Sequence, residues 1–207
     1  MLAIFDMDGT LTDSSTLLAN SINYVRGKLN LAPLDKDTII YQINNPNCNL
    51  AKYFYNMDKI EPLCEEWFRN YYSKYHNLEL ELYDGVEEML KDIKQKDIKL
   101  AIATNAYRVS TLEALSHLNI LDLFDDIVCF DDVKEGKPSP KMLNKLLNNF
   151  KLTNKDAIFI GDSQRDELAS KRADIEFIKV AFGSNQSNVI TKPIEINRKI
   201  EEYFCII

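Results

Sequence analysis

The chain has 207 residues and a mass of 23.9 kDa, enough for one domain of average size with a modest insertion. Its hydrophobic fraction of 45% and charged fraction of 28% are ordinary for a globular protein and exclude a mainly disordered chain. The formal net charge of −7 argues against a nucleic-acid binder that neutralises phosphates, and against attraction to anionic lipid. If the ligand is an anion, the site must supply a local cation, either a basic side chain or a metal ion.

Cysteine usage and the N-terminal residues predict a cytoplasmic protein. The cysteines are widely spaced, with no CxxC motif and no Cys/His cluster, and they are Cys48, Cys64, Cys129 and Cys205. We interpret them as reduced thiols. The apolar run at the N-terminus is broken at Asp6, which is unlike a signal peptide. No stretch approaches the roughly 18 to 20 apolar residues of a spanning helix, so no membrane association is expected.

Five short apolar runs predict the strands of a parallel sheet. In chain order they are residues 2–5, 100–103, 127–129, 157–160 and 177–181. The runs lack polar alternation, which is typical of strands buried on both faces. Helical patterns separate the later runs, at residues 86–96, 108–118, 140–150 and 165–173. Alternating strands and helices predict an α/β fold with a doubly wound parallel sheet.

Residues 15–81 interrupt this alternation. They contain no convincing buried strand, and helical patterns occur at residues 16–29 and 64–75. We predict that 15–81 form an inserted α-helical cap domain and that 1–14 and 82–207 form the α/β core. The alternative is that the whole segment is one long crossover connection of the sheet.

Acidic and polar residues follow the predicted strands. The first strand leads into Asp6, Asp8, Gly9 and Thr10, the second into Thr104 and Asn105, and the fourth into Asp162 and Asp166, while Lys137 lies in Gly136-Lys137-Pro138. Ligands of open α/β sheets bind beyond the carboxyl ends of the strands, so these side chains are expected to converge.

The convergent side chains favour one kind of ligand chemistry. Several carboxylates near one lysine, without histidine or cysteine, suit Mg²⁺ better than Zn²⁺. The metal would also supply positive charge for an anionic substrate. The sequence therefore predicts a Mg²⁺ cofactor and a small phosphorylated metabolite as the substrate.

Four segments in this order resemble a known family. FDMDGTLTDS, ATN, GKPSP and GDSQRDELAS are similar to the motifs of the haloacid dehalogenase superfamily, and more closely to its phosphoglycolate phosphatase-like branch with an α-helical cap. The resemblance covers about residues 1–13 and 83–183. It implies a Rossmann-like core and a Mg²⁺-dependent phosphatase that hydrolyses a small, phosphoglycolate-like phosphomonoester through an aspartyl-phosphate intermediate.

The resemblance also implies a role for each matching residue. Asp6 would be the nucleophile, and Asp8 the general acid that protonates the leaving alkoxide and later activates water. Thr104 and Asn105 would bind the phosphoryl oxygens, and Lys137 would neutralise charge on the nucleophile and the phosphoryl group.

A metal site is implied in the same way. Its ligands would be Asp6, Asp8 (through the backbone carbonyl) and Asp162. Three residues would support it. They are Gly9, which permits a tight turn, Thr10, and Asp166, which would bind the metal through water or orient Lys137.

Several alternative functions share this scaffold. Asp8 disfavours dehalogenation, since a carbon–halogen bond needs no protonation of its leaving group. A phosphosugar mutase would need a cap that holds a bisphosphate, and residues 15–81 show no basic cluster. Pyrophosphatase and nucleotidase activities remain open. A non-catalytic binding protein is disfavoured because none of Asp6, Asp8, Lys137 and Asp162 is lost.

Two segments are left with open interpretations. The polar stretch 44–48 either faces the substrate or is an ordinary turn. The apolar C-terminus 203–207 is expected to pack on the core rather than on a partner. We expect a monomer or a homodimer.

Overall fold

The computed structural model describes residues 1–43, 48–182 and 189–205. Most of the polar stretch 44–48, whose interpretation the sequence leaves open, and the last two residues of the apolar C-terminus therefore lie outside the described residues. The chain divides into two compact units. One comprises Met1–Asp13 and Glu81–Ile207, here called the sheet unit, and the other is Ser14–Leu80, here called the helical unit.

Seven strands are described in the sheet unit. In chain order they are β1 (Leu2–Phe5), β2 (Thr12–Asp13), β3 (Glu81–Leu82), β4 (Lys99–Ala103), β5 (Asp126–Val128), β6 (Ala157–Gly161) and β7 (Glu176–Lys179). Five of them form a parallel sheet in the order β5-β4-β1-β6-β7, and β2 pairs with β3 in an antiparallel ladder. The chain moves outward from β1 to both edges, which confirms the predicted doubly wound α/β fold. All five main strands lie within two residues of the predicted apolar runs.

The helices that the structure describes occupy both units. In chain order they are α1 (Ser15–Lys28), α2 (Lys36–Ile43), α3 (Leu50–Tyr55), α4 (Pro62–Glu79), α5 (Val86–Gln95), α6 (Arg108–His117), α7 (Lys141–Phe150), α8 (Gln164–Ala173) and α9 (Ile194–Phe204). Helices α2, α3 and α9 were not predicted from the sequence. No helix among the described residues is long and apolar enough to cross a membrane.

The central strand β1 contributes to both faces of the sheet. All four of its residues are buried, and successive side chains point to opposite faces. Leu2 and Ile4 belong to a core cluster that the apolar side of α7 completes through Met142, Leu143, Leu146 and Leu147. These four positions share one stripe of the helix, which is the pattern of a helix that packs on a sheet.

The helical unit has its own apolar core, formed by side chains from all four of its helices. One buried cation joins its segments. The Arg26 guanidinium donates to the carbonyl of Ala32 at 2.8 Å and to the carbonyl of Phe54. Arg26 is 9% exposed, so these two carbonyls replace the water that its charge gives up.

Arg26→Met tests this connection. We expect it to lower the free energy of unfolding of the helical unit by about 2–4 kcal/mol, because two carbonyls lose their donor. Urea unfolding followed by the fluorescence of Trp67, the chain's one tryptophan, which packs against this core, provides the measurement. Lys28→Met, an exposed change two residues further along α1, is the control. Equal unfolding midpoints for the two variants would contradict the claim that the buried Arg26 stabilises the helical unit.

Candidate active site

Strand register brings the predicted residues to one edge of the sheet. Phe5, the last residue of β1, lies opposite Ile102 of β4 and Ile160 of β6. The residues that follow each strand therefore emerge side by side at the carboxyl edge. Asp6 continues the ladder by one step, since its backbone N–H donates to the carbonyl of Ile160 at 2.9 Å.

The loop after β1 bends sharply and brings Gly9 against Asp162. The carbonyl of Met7 accepts from the backbone N–H groups of Leu11 at 2.8 Å and Thr12 at 3.1 Å, which closes the turn. Gly9 has φ +81°, and a Cβ there would lie 2.5 Å from Oδ2 of Asp162. Only glycine satisfies both conditions without strain.

Thr10 lies beside the same carboxylate. Its hydroxyl is 3.4 Å from Oδ1 of Asp162, a long donor contact. The two predicted supporting residues Gly9 and Thr10 thus both lie beside Asp162, and their supporting role stays a prediction.

Lys137 forms the electrostatic centre of the site. Its Nζ lies 2.5 Å from Oδ1 of Asp6 and 2.7 Å from Oδ1 of Asp166. The lysine side chain is 3% exposed and that of Asp166 is 0% exposed. The ammonium also lies 5.5 Å from the centre of the Phe159 ring, which forms an apolar, electron-rich floor below it. Water contributes little to this ion pair, so the carboxylates must solvate the lysine.

The N-terminus of α8 holds Asp166 in place. Ser163 is the N-cap of the helix, and its hydroxyl accepts from the backbone N–H of Asp166. In return, Oδ2 of Asp166 accepts from the backbone N–H of Ser163 at 3.0 Å and from its hydroxyl at 2.5 Å. One carboxylate oxygen of Asp166 is therefore ion-paired with Lys137, and the other accepts hydrogen bonds from Ser163. This arrangement suits the predicted role of orienting Lys137.

Thr104 and Asn105 follow β4 and lie next to Lys137. Thr104 is 1% exposed, and its hydroxyl accepts from the backbone N–H of Ala106 at 3.1 Å. The side chain of Asn105 accepts from the backbone N–H of Lys137 at 2.8 Å and donates to the Lys137 carbonyl at 3.0 Å. Asn105 therefore holds the Lys137 backbone in place. Its contact with phosphoryl oxygens stays a prediction.

The carboxylates outnumber the cations that compensate them. Burial raises the pKa of Asp6 to about 7, with Lys137 opposing the rise and Asp166 adding to it. Burial and the Asp166 charge likewise raise the pKa of Asp162 to about 6. Burial lowers the pKa of Lys137, but the charges of Asp6 and Asp166 prevail and raise it. The cluster thus holds more negative charge than one lysine neutralises, and a bound cation would relieve the excess.

The donor set fits a hard divalent cation. Carboxylate oxygens of Asp6, Asp162 and Asp166 lie within 4.8 Å of one another. All are oxygen ligands, which Mg²⁺ prefers. Because both oxygens of Asp166 are already engaged, Asp6 and Asp162 are the better placed direct ligands.

These residues line one cavity of about 380 Å³. Its lining comprises Asp6, Asp8, Thr104, Asn105, Ala106, Lys137, Asp162, Ser163, Arg165 and Asp166. Sequence reasoning did not single out Ala106 or Arg165. The available signal for Arg165 was a basic residue in the first turn after a glycine–aspartate–serine strand end.

The helical unit contains a separate cavity of about 480 Å³. Its lining is mainly aliphatic and aromatic, and the charged residues in it are Glu65 and Arg69. The cavity at the carboxyl edge of the sheet is smaller, but of these two cavities it is the one in which several described acidic groups and a buried lysine converge. It is therefore the candidate active site.

Gly161→Ala tests how closely the backbone of β6 approaches Asp166. An added Cβ would lie 2.6 Å from Cβ of Asp166, so Asp166 would have to shift. We expect a loss of about 1–3 kcal/mol in the free energy of unfolding. The control is Gly27→Ala, where an added Cβ meets nothing within 4 Å and the helix should gain up to about 1 kcal/mol. Thermal unfolding that shifts both variants in the same direction would contradict this geometry.

Comparison with known proteins identifies the family of this chain. The profile of the haloacid dehalogenase-like hydrolase family matches residues 3–180. A phosphoglycolate phosphatase from Colwellia psychrerythraea is 30% identical over 198 residues, covering 91% of this chain and 88% of that protein. The pyrophosphatase PpaX from Halalkalibacterium halodurans is 28% identical over 181 residues, covering 86% and 82%.

The fold is also similar to that of a solved structure. A Thermotoga maritima protein with a provisional assignment as a beta-phosphoglucomutase superposes with a TM-score of 0.78 at 26% identity. The match covers 98% of this chain and 99% of that one. The family profile spans most of the chain, and the relatives are matched over most of their length. The chain belongs to the haloacid dehalogenase-like hydrolases, in the phosphoglycolate phosphatase-like branch, and is a phosphoric monoester hydrolase.

Proposed function

We propose that this chain is a Mg²⁺-dependent cytoplasmic phosphatase that hydrolyses a small phosphomonoester through a phosphorylated Asp6. The observation that carries the proposal is the buried Asp6 carboxylate, ion-paired to Lys137, in a cavity that also holds Asp8 and Asp162. All four cysteines are free thiols, in keeping with a reducing compartment.

Asp6 has the position of a nucleophile. Its carboxylate lies at the carboxyl edge of the central strand and faces the cavity. One of its oxygens bonds to phosphorus as the bond from phosphorus to the leaving oxygen breaks, and the leaving group departs with that electron pair. Water then attacks phosphorus, which releases inorganic phosphate and regenerates the carboxylate.

Asp8 would handle the proton in both steps. It lines the same cavity two residues after Asp6. In the first step it donates a proton to the leaving alkoxide, and in the second it takes a proton from the attacking water. A group that ends the first step as a carboxylate is ready to act as the base in the next.

Positive charge and hydrogen-bond donors stabilise the transferring phosphoryl group. Lys137 neutralises charge shared between Asp6 and the phosphoryl oxygens, and Thr104 and the backbone near Asn105 supply donors. Because the lysine is held by two carboxylates and by the Asn105 amide, it needs little reorganisation during the reaction. Mg²⁺, held by Asp6, Asp162 and the backbone carbonyl of Asp8, would supply further positive charge at the phosphoryl oxygens when bound.

The substrate proposal follows the relatives. One is named for phosphoglycolate and another for pyrophosphate. We therefore place phosphoglycolate first and pyrophosphate second, the latter because of the PpaX relative. Transfer of the phosphoryl group to a sugar instead of to water is the outcome that would move the assignment to a mutase.

Asp6→Asn tests the nucleophile. We expect at least an approximately 1,000-fold loss of kcat with phosphoglycolate and Mg²⁺, because the amide cannot form the acyl phosphate. Phosphate release from a panel of hexose phosphates, nucleotides and pyrophosphate should fall in parallel. Asp122→Asn, the same change on an exposed residue of the sheet unit, is the control and should retain activity. An Asp6→Asn protein that turns over within tenfold of the parent chain would overturn the mechanism.

Asp162→Asn tests the metal site. Replacing one carboxylate should raise the Mg²⁺ concentration at half-maximal activity by at least about 10-fold, and EDTA should abolish turnover by the parent chain. Titration calorimetry with Mg²⁺ alone gives the same comparison without turnover. Unchanged Mg²⁺ affinity in Asp162→Asn, or full activity in EDTA, would remove Mg²⁺ from the proposal.

A further inference from the structure

Arg165 is a cation of the active-site cavity that the mechanism above does not use. It lines the cavity together with Asp6, Asp8 and Lys137, and it is exposed. Within the described part of the chain, no hydrogen bond or ion pair engages its guanidinium. A free guanidinium in a cavity is available to a ligand.

The other arginines of the sheet unit have partners in the protein. Arg108 is paired with Asp132 through two nitrogens. Arg172 donates to the carbonyl of Pro138 at 2.8 Å, and Arg198 is paired with Glu202 at 2.8 Å. Lys137, the second cation of the cavity, is already held by two carboxylates. Arg165 is therefore the one cation of this cavity whose charge, among the described residues, no carboxylate neutralises.

The position of Arg165 gives no benefit to its helix. It is the second residue of α8, after the N-cap Ser163. The N-terminus of a helix carries partial positive charge, so an arginine there is mildly unfavourable. The capping box between Ser163 and Asp166 is complete without it. Its place in the active-site cavity therefore needs an explanation other than helix capping, and binding of a ligand supplies one.

We propose that Arg165 binds a second anionic group of the substrate, a carboxylate or a second phosphate, and so selects small phosphoesters or phosphoanhydrides that carry one. This inference rests on the proposed function, because the first phosphoryl group is taken to lie at Asp6. The guanidinium presents two parallel N–H donors, which match the oxygen pairs of carboxylates and phosphates. A cavity of about 380 Å³ holds both groups only if the substrate is small.

The first arm of the test measures substrate selectivity. Phosphoglycolate and pyrophosphate carry a second anionic group, whereas ethyl phosphate does not. We define the selectivity ratio as kcat/KM for phosphoglycolate, or for pyrophosphate, divided by kcat/KM for ethyl phosphate. We expect Arg165→Gln to lower this ratio by about 10- to 100-fold, mostly through a higher KM for the substrate with the second anion. Arg165→Lys should recover part of the ratio, because it keeps the charge without the fork.

Lys171→Gln is the matched control. It removes one positive charge from an exposed residue near the other end of α8. We expect it to leave the selectivity ratio unchanged. A ratio that Arg165→Gln also leaves unchanged, with activity on all substrates falling together, would overturn the inference while the phosphatase assignment stands.

The second arm needs no turnover. Calorimetry compares phosphonoacetate and methylenediphosphonate with methylphosphonate, which lacks the second anion. The parent chain should bind one of the first two at least about 10-fold more tightly, and Arg165→Gln should lose that advantage. The preferred ligand identifies the second anion as carboxylate or phosphate. Equal affinity for all three in the parent chain would overturn the inference. An Arg165-dependent preference in a chain without phosphatase activity would support the ligand class and reject the proposed function.

Discussion

The ion pairs of Lys137 with Asp6 and Asp166 join three separate parts of the chain in a site with little solvent. Asp6 follows the central strand, Lys137 lies in the loop before α7, and Asp166 lies in the first turn of α8. Removing the lysine would leave two buried carboxylates without a compensating cation, so the site depends on Lys137 being held between them. Burial, with the charge of Asp166 adding to it, raises the pKa of Asp6 and of Asp162. The excess of carboxylates over the one buried lysine creates the demand for a cation that the proposed Mg²⁺ would meet.

Backbone geometry makes this concentration of charge possible. Gly9 lets the loop after β1 approach Asp162, and Gly161 lets Asp166 pack directly over the end of β6. In the capping box of α8, one carboxylate oxygen of Asp166 is hydrogen-bonded to Ser163, and the other is therefore available to pair with Lys137. The Asn105 amide is hydrogen-bonded to the Lys137 backbone and holds it in place. The edge of the sheet thus positions Asp6, the ion pairs and the Asn105 amide position Lys137, and the exposed Arg165 lines the same cavity.

The strands of the sheet and the residues at its carboxyl edge could be predicted because both follow from short-range sequence patterns. Buried parallel strands are continuous apolar runs, and the residues after 2–5, 100–103 and 157–160 converge in any open α/β sheet. Helix α9 was missed because its apolar face is completed by packing on α5, a contact that local pattern does not reveal. The hydrogen bonds between Asn105 and the Lys137 backbone could not be predicted, because the two residues are 32 positions apart in the sequence. Arg165 was missed for a related reason, because a free charge is recognised only when the partners of all other charges are known.

Direct detection of a phosphorylated Asp6 tests the central claim. The parent chain would be mixed with phosphoglycolate and Mg²⁺, quenched in acid during the first turnover, and digested for mass spectrometry of the peptide that contains Asp6 and Asp8. The account predicts one phosphoryl group on Asp6, removable by hydroxylamine and absent from Asp6→Asn. Phosphate released in that turnover without any labelled peptide, or a label on another residue, would contradict it.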